Sequence, residues 1–239
     1  MTNLKQILSS VWHQSFHNET RFDEIIAHKD IKSIFNKALL SERPVHILLV
    51  GKPGTAKTMF LTEVMRSIKQ SYFIVGSNTS KAGLVNQLFE RKPKYLLIDE
   101  LDKMNSSDQT SLLHLMETGI ISETKINKTR QMELTSWVFA TANSCERIIR
   151  PLLSRFLILE LPEYTFEEFS KIALAKLTKE KVAEQLAINI AEKVWNELGS
   201  KDIRDVIKVG RLANDIQEVS LIVSMMKRPG TRIGSSLPI

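Results

Sequence analysis

The sequence predicts an α/β fold with a parallel sheet, followed by a small helical domain. Three observations lead to this prediction. Short apolar runs alternate with segments of helical period in the first 162 residues, a glycine-containing loop joins the first run to a helix, and no convincing strand follows Pro162. Strands that alternate with helices are typical of a parallel sheet with right-handed crossovers.

The predicted elements follow in order along the chain. Residues 1–21 carry apolar side chains at helical spacing, which predicts a helix that packs on its own domain or docks on a neighbouring subunit. A second helix is predicted at 29–40, before Pro44. The apolar runs predict strands at Val45–Val50, Tyr72–Val75, Tyr95–Ile98 and Trp137–Thr141, and the segments between them predict helices at Thr58–Gln70, Lys81–Phe89 and Ser107–Thr118.

The character of the sequence changes at Pro162. Helices are predicted at Phe166–Thr178, Val182–Leu198 and Ile203–Val219. We therefore expect an α/β core at 22–162, a helical domain at 163–226 and a tail with little structure of its own at 227–239.

Composition limits the class of protein. The 239 residues are 43% hydrophobic and 25% charged, which excludes wholesale disorder, collagen and a coiled-coil rod. The single cysteine, Cys145, excludes a disulfide framework and a zinc site built from cysteines. No apolar run approaches the roughly 18 residues of a membrane span, and the first residues lack the apolar segment of a signal peptide. We expect a cytoplasmic protein, and the net charge of +6 favours a polyanionic partner.

The first predicted strand runs into Gly51–Thr58, which has the pattern of a phosphate-binding loop. Gly51 and Gly54 allow a tight turn that points backbone N–H groups at phosphate oxygens, and the following helix adds its partial positive charge. Lys57 is expected to reach the β- and γ-phosphates, and the Thr58 hydroxyl is expected to ligate Mg²⁺. The alternative is a strand-to-helix turn with a chance Lys-Thr pair.

Ala56 departs from the usual pattern, which has glycine there. We expect a mild substitution, because the start of a helix supplies right-handed backbone angles. Pro53, Thr55 and the following Met59 complete the expected nucleotide contacts.

Polar residues also follow two later strands. Asp99 is expected to hold Mg²⁺, usually through water, and Glu100 to polarise the attacking water; an acidic helix cap is the alternative. Asn143 is expected to hydrogen-bond the attacking water or the γ-phosphate, with turn chemistry as its alternative. Because this arrangement supplies a base for water, it favours hydrolysis over transfer to a second acceptor.

Together these motifs resemble those of AAA+ ATPases. Gly51–Thr58 corresponds to Walker A, Leu96–Glu100 to Walker B and Asn143 to sensor 1. The resemblance runs from about Phe22 to about Val219. It implies a P-loop NTPase core with a helical lid, Mg²⁺-dependent hydrolysis of ATP, and ATP and Mg²⁺ as ligands.

The resemblance implies further nucleotide contacts in the same chain. Ile25 and Ile26 would pack on adenine. Arg204, in the stretch Gly199–Arg204, resembles a sensor 2 residue that binds phosphate in cis. A solvated helix arginine is the alternative for Arg204.

The stretch Arg150–Phe156 resembles the segment that carries the arginine finger in this superfamily. Arg155 would reach the γ-phosphate held by the adjacent subunit, with Arg147 and Arg150 as lesser candidates and a local ion pair as the alternative. A finger that acts between subunits implies a homo-oligomeric ring, most often a hexamer.

The chain looks most like the RuvB and clamp-loader group, on the basis of Asp99–Met104 and Leu153–Phe156. The segment Ile121–Leu134 predicts a β-hairpin centred on Asn127 and Lys128. The cations near its tip suit contacts with DNA or with a pore, and a solvated hairpin face is the alternative. These candidate cations are Lys125, Lys128 and Arg130.

Three hypotheses for function follow. The first is a ring motor that acts on DNA as a branch-migration helicase or loader. The second is a MoxR-like or ClpX-like remodeller of protein complexes, against which the absence of an aromatic residue in Thr79–Gly83 argues modestly. The third is a nucleotide-gated adaptor module. The chain ends about 20 residues after the last predicted helix, so we expect that the DNA-reading part is missing, is supplied by a separate DNA-binding or adaptor protein, or is unnecessary.

Overall fold

The computed structural model describes residues 22–125 and 128–228. The chain divides into two compact units that meet in sequence between Leu161 and Pro162, with the short stretch Pro53–Thr55 grouped with the second unit. The predicted helix at 1–21 and most of the predicted tail lie outside the described residues.

The first unit alternates strands with helices for most of its length. Its elements are α1 (Lys29–Leu40), β1 (His46–Val50), α2 (Lys57–Ser67), β2 (Ser71–Val75), α3 (Lys81–Arg91), β3 (Tyr95–Asp99), α4 (Ser106–Thr118), β4 (Ile120–Lys125), β5 (Lys128–Glu133), β6 (Trp137–Ala142), α5 (Arg150–Leu153) and β7 (Phe156–Glu160).

Five of these strands form a parallel sheet in the order β2-β3-β6-β1-β7. The predicted α/β class with a parallel sheet is thereby confirmed. Strand β7 was not predicted. It lies at the edge of the sheet, and its Leu157 and Ile158 side chains are 44% and 40% exposed. Strands β4 and β5 form a separate antiparallel pair.

The sheet is covered by helices on both faces. On β1, Leu48 belongs to a core cluster with residues of α3 and α4, whereas Ile47 and Leu49 belong to a second cluster with residues of α1 and α2. Strands buried on both faces have continuous apolar sequences, which is why the sequence indicates them so clearly. In the second cluster Phe35 is fully buried, and its ring lies 5.1 Å from that of Phe139.

A buried histidine links two neighbouring strands of this sheet. His46, the first residue of β1, accepts a hydrogen bond through Nδ1 from the backbone N–H of Val138 at 3.0 Å. Burial lowers the pKa of His46 to about 4, against a smaller opposing effect of a hydrogen bond with the Met116 backbone. The ring is therefore neutral at physiological pH and serves as an acceptor within the core.

In its described part, the second unit is built from helices. These are α6 (Phe166–Lys179), α7 (Glu184–Asn196), α8 (Ile203–Leu212) and α9 (Ile216–Lys227). The prediction of one helix at Ile203–Val219 is wrong, because the chain begins a new helix at Ile216. The Asp215 side chain accepts the backbone N–H groups of Gln217 and Glu218 at 2.8 Å each, and this N-cap satisfies donors at the start of α9.

Among the described residues, no helix combines the length and the apolar character needed to cross a membrane.

Candidate active site

The carboxyl ends of three adjacent strands bring the predicted motifs to one edge of the sheet. Strand β6 lies between β1 and β3, so the loop after β1 and the acidic pair after β3 lie on either side of it. The Gly51 N–H donates to the Ala142 carbonyl at 3.3 Å, which joins the loop to the end of β6. Asn143 follows directly and is exposed. Ligands of parallel α/β sheets bind at this edge.

Lys57 is the first residue of α2 and is only 8% exposed. Its Nζ donates to the carbonyl oxygens of Gly51 at 2.5 Å and Lys52 at 2.8 Å. A buried ammonium is costly without such acceptors. The loop therefore holds this positive charge within its own turn. Thr55 in the same loop is buried, and the neighbouring Met59 is half-buried.

Ala56 does not have the right-handed backbone that the sequence analysis expected. Its φ is 66° and its ψ is 11°, in the left-handed region, because α2 begins at Lys57 and leaves Ala56 outside the helix as its N-cap. Gly54 also has a positive φ, of 87°. Turns with left-handed residues expose successive N–H groups as anion-binding nests. The loop thus has the conformation of the usual phosphate-binding pattern, although an alanine occupies a glycine position.

The Thr58 hydroxyl meets the Asp99 carboxylate at this edge of the sheet. Thr58 Oγ1 lies 3.1 Å from Oδ1 and 3.0 Å from Oδ2 of Asp99. A hydroxyl and a carboxylate are the hard oxygen donors that Mg²⁺ prefers, so these two residues fit the expected ion and would hold it. When bound, Mg²⁺ neutralises charge on the phosphate oxygens of ATP.

Glu100 lies in a tight turn directly after β3. Its φ is 57°, an unusual value for a residue with a side chain. Gly76 approaches the turn so closely that a Cβ on it would lie 2.3 Å from the Glu100 carbonyl oxygen. Glu100 Oε1 accepts a hydrogen bond from Lys103 Nζ at 2.9 Å, and this bond raises the pKa of the Lys103 ammonium. The conformation of Glu100 is thus constrained by its neighbours.

Thr141, which was not among the predicted site residues, contacts both members of the acidic pair. Thr141 is 1% exposed in β6. Its Oγ1 donates to Asp99 Oδ1 at 2.5 Å and accepts the Glu100 backbone N–H at 3.0 Å. The available signal was a hydroxyl within the otherwise apolar run Trp137–Ala142, because a buried polar group needs a partner.

The two isoleucines expected at adenine have different surroundings. Ile25 is 2% exposed and belongs to the core cluster with Phe22 and Phe35. The Ile26 side chain is 38% exposed. Ile25 therefore acts as a core residue in this structure, and Ile26 is the one that presents apolar surface.

The three arginines near α5 have two kinds of surroundings: one forms an ion pair, and two line a cleft. Arg155 forms an ion pair with Glu117, in the last turn of α4, and its Nε lies 3.1 Å from Oε1. Arg147 and Arg150 line a cleft of about 530 Å³ formed by residues 102–106 and 146–150. Arg155 has the local ion pair that was the alternative to its expected role, while its side chain stays 47% exposed.

Arg204 lies in the second unit and pairs with the N-cap of its own helix. Its Nε lies 3.0 Å and 2.9 Å from the two carboxylate oxygens of Asp202. These hydrogen bonds raise the pKa of the Arg204 guanidinium. The side chain remains 62% exposed.

The centre of the β4–β5 hairpin differs from the predicted one. Lys125 pairs with Lys128, so Lys128 belongs to a strand and the predicted centre at Asn127 and Lys128 is displaced by one residue. The side chains of residues 124–128 lie outside the described part of the structure.

Arg130 is held against α3 by side-chain contacts. Its Nε donates to Glu123 Oε2 at 2.7 Å and its Nη2 donates to Asn86 Oδ1 at 2.8 Å. The guanidinium also lies 4.2 Å from the centre of the Phe89 ring. Arg130 is therefore a packed residue in this structure, and its expected contact with DNA stays a prediction.

The chain is similar in sequence to curated DNA replication licensing factors. DNA replication licensing factor mcm2 of Schizosaccharomyces pombe is 26% identical over 221 residues, which cover 73% of this chain and 27% of that protein. Arabidopsis thaliana MCM7 is 28% identical over 194 residues, 64% of this chain and 27% of the relative. The chain thus spans about a quarter of the length of these curated relatives.

Solved structures of Thermotoga maritima RuvB, a Holliday junction branch migration motor, have a similar fold. One is 20% identical with a TM-score of 0.66, covering 85% of this chain and 71% of that one. A second, of a point mutant of the same protein, is 19% identical with a TM-score of 0.67, covering 90% of this chain and 75% of that one.

The model of the family described as "ATPase family associated with various cellular activities (AAA)" matches residues 47–163. This range contains all of β1 except His46, the loop and the acidic pair described above, as well as Asn143 and Arg155. Residues 47–163 are therefore an AAA ATPase domain, whose fold and motifs support the hydrolysis of ATP.

Proposed function

We propose that this chain is the ATPase subunit of a ring-shaped motor that acts on DNA. The ATPase part rests on one observation above all, the meeting of the Thr58 hydroxyl and the Asp99 carboxylate beside the Lys57 loop. The DNA part is supported by the names of its relatives, which are replication licensing factors and a Holliday junction branch migration motor.

Each residue of the edge has a proposed role in hydrolysis. Lys57 binds the β- and γ-phosphates, and Thr58 and Asp99 hold Mg²⁺. Glu100 accepts a proton from water as the water oxygen bonds to the γ-phosphorus, and the bond from that phosphorus to the bridging oxygen of ADP breaks. Asn143 orients the water by hydrogen bonding.

The base assignment is tested with Glu100→Gln, which keeps the size of the side chain and removes its basicity. The variant is expected to bind ATP with unchanged affinity and to lose turnover by about 100-fold or more. Glu42→Gln, an exposed glutamate elsewhere in the first unit, is the matched control and should keep full activity. Unchanged turnover in Glu100→Gln would refute the assignment.

Lys57→Ala tests the loop separately from the base. Loss of the buried ammonium is expected to abolish nucleotide binding in a fluorescent-ATP titration, because the charge that Lys57 places at the β- and γ-phosphates is lost. Binding at wild-type affinity would show that the phosphates do not lie at Lys57.

A mixing experiment tests whether Arg155 acts on the neighbouring subunit. Arg155→Ala keeps Glu100, and Glu100→Gln keeps Arg155, so each is expected to be inactive alone. In a mixture, some sites receive an intact base from one subunit and an intact arginine from the other, and ATPase activity should return. If the mixture stays inactive while each variant still assembles with ATP, the proposed trans role fails.

The DNA role is tested through stimulation of ATP hydrolysis. Rates are measured with single-stranded, duplex and branched DNA at two salt concentrations, and stimulation should weaken at the higher salt because phosphate contacts release counterions. Lys125→Gln with Lys128→Gln should reduce the salt slope by roughly 2. The control pair Lys37→Gln and Lys69→Gln should leave it unchanged.

Two other outcomes identify the alternatives. Stimulation by a protein complex without stimulation by DNA would favour a MoxR-like or ClpX-like remodeller. Turnover that responds to neither would favour a nucleotide-gated adaptor.

The proposal includes a hexameric ring, a lid role for the helical unit with Arg204 as its phosphate contact, a separate DNA-binding or adaptor partner, and a cytoplasmic location. Sedimentation with ATP tests the first of these. It should give a mass near six times the 27.2 kDa of one chain.

A further inference from the structure

We propose that Thr141 is a positioning residue whose single hydroxyl fixes both Asp99 and Glu100. This inference rests on the proposed roles of those two carboxylates and deepens them. Thr141 is not expected to touch ATP, since it lies within the buried strand β6 and is 1% exposed.

Both hydrogen-bonding functions of the hydroxyl are used on the acidic pair. Its proton goes to Asp99 Oδ1, and its oxygen accepts the Glu100 backbone N–H at 3.0 Å. A buried hydroxyl without partners is costly, and the other side chains of Trp137–Ala142 are apolar. Asp99 and Glu100 therefore provide the hydrogen-bond partners that the buried Thr141 hydroxyl needs. In return, the hydroxyl restrains the positions of these two residues.

On Asp99, the hydroxyl sets the orientation of the carboxylate. Thr141 donates to Oδ1 from β6, and Thr58 Oγ1 lies 3.0 Å from Oδ2 and 3.1 Å from Oδ1 on the loop side. Residues that hydrogen-bond a metal-binding carboxylate commonly change metal affinity by about 10–100-fold when they are removed. We therefore expect Thr141 to influence the affinity for Mg²⁺ without contacting the ion.

On Glu100, the same hydroxyl supports an unfavourable turn. The residue has a φ of 57°, and such conformations persist only when the surroundings enforce them. Thr141 holds the N–H of this turn, while Gly76 packs against its carbonyl oxygen. Loss of the hydroxyl should release the Glu100 amide and loosen the aim of its carboxylate.

The test compares Thr141→Val, which has nearly the same shape but no hydroxyl, with Thr141→Ser, which keeps the hydroxyl. Fluorescent ADP is titrated with and without Mg²⁺. In Thr141→Val the dissociation constant with Mg²⁺ should rise about 10–100-fold, whereas the value without Mg²⁺ should stay as in the wild type. Thr141→Ser should restore at least part of the Mg²⁺-dependent affinity.

A second readout needs no nucleotide at all. Hydrogen exchange of the Glu100 amide in the free protein should be faster in Thr141→Val than in the wild type or Thr141→Ser. The matched control is Ser136→Ala, which removes another buried hydroxyl, bonded to the Pro93 carbonyl before the start of β6. This control should alter neither the Mg²⁺ dependence nor the exchange of Glu100.

The outcomes separate this inference from the proposed function. If Glu100→Gln is inactive while Thr141→Val keeps wild-type Mg²⁺ dependence and amide exchange, the positioning role is refuted and the active-site assignment survives. If Glu100→Gln hydrolyses ATP normally, the assignment itself fails. If Thr141→Val does not fold, Thr141→Ser decides alone: wild-type values support the hydroxyl, and loss of Mg²⁺-dependent affinity refutes it.

Discussion

Replacing Ala56 by glycine is expected to stabilise the protein, although alanine-to-glycine changes usually destabilise. Ala56 has a φ of 66° and a ψ of 11°, and this left-handed conformation costs a residue with a Cβ about 1–2 kcal/mol. Glycine avoids that cost. However, it lowers the free energy of unfolding by about 0.4–1 kcal/mol, because it increases the conformational entropy of the unfolded chain. The difference predicts a gain of about 0.5–1 kcal/mol in the free energy of unfolding.

Urea unfolding followed by circular dichroism measures this gain through linear extrapolation. Ala82→Gly is the matched control, because Ala82 is exposed in the first turn of the regular helix α3. The control should lose up to about 1 kcal/mol, since glycine is a poor helix former. The two variants are therefore expected to shift stability in opposite directions.

Equal losses of stability in both variants would refute the reasoning. That result would mean that Ala56 has a right-handed backbone in solution and that the loop differs from the one described. Binding of ATP provides a second check. Ala56→Gly should bind normally, because the Lys57 contacts involve carbonyl groups of Gly51 and Lys52.

Three further predictions test other parts of the structure. Gly76→Ala should lower the free energy of unfolding by about 1–3 kcal/mol and reduce turnover, because a Cβ would lie 2.3 Å from the carbonyl oxygen of Glu100; a variant as stable and active as the wild type would contradict this packing. His46→Gln, compared with the wild type by urea unfolding at pH 7 and pH 4.5, should show the weaker dependence on pH. The pKa of His46 in the folded protein is about 4, below the ordinary 6.5. The contribution of the neutral ring to the free energy of unfolding is therefore complete above pH 6.5 and decreases by about 3 kcal/mol as the pH falls to 4. An equal pH dependence of stability in the wild type and His46→Gln would refute this prediction. Arg130→Gln should lower the thermal midpoint, because its guanidinium packs against α3, and a loss of DNA affinity at unchanged stability would argue against this structural role.

The sequence was most informative where burial and chemistry act together. The central strands were predictable because both of their faces are buried, and the longer helices of the first unit were located to within three residues at each end. The loop and the acidic pair were predictable because phosphate binding restricts residue types and spacing. The fold class and the ATPase activity followed from these features.

The remaining details depend on contacts that are distant in sequence or on single backbone angles. Thr141 became visible as a site residue only when β6 was placed beside β3. Ala56 was misjudged because residue type alone does not fix the helix start. The packing of Arg130 was not predictable because its partner Asn86 lies 44 residues away. Strand β7 was missed although Phe156–Leu159 is an apolar run of strand length, because the preceding stretch Arg150–Phe156 was interpreted as the arginine-finger segment.

The order of the strands has a consequence for the synthesis of the chain. Strand β1 is made early, but both of its neighbours come much later, and the hydrogen bond between His46 and Val138 spans 92 residues. Until Glu160 has left the ribosome, the apolar run Ile47–Leu49 has an unpaired backbone on at least one side. Such long-range pairing slows folding and exposes strand edges to aggregation. We therefore expect the nascent chain to depend on chaperone protection until its last sheet strand has been synthesised.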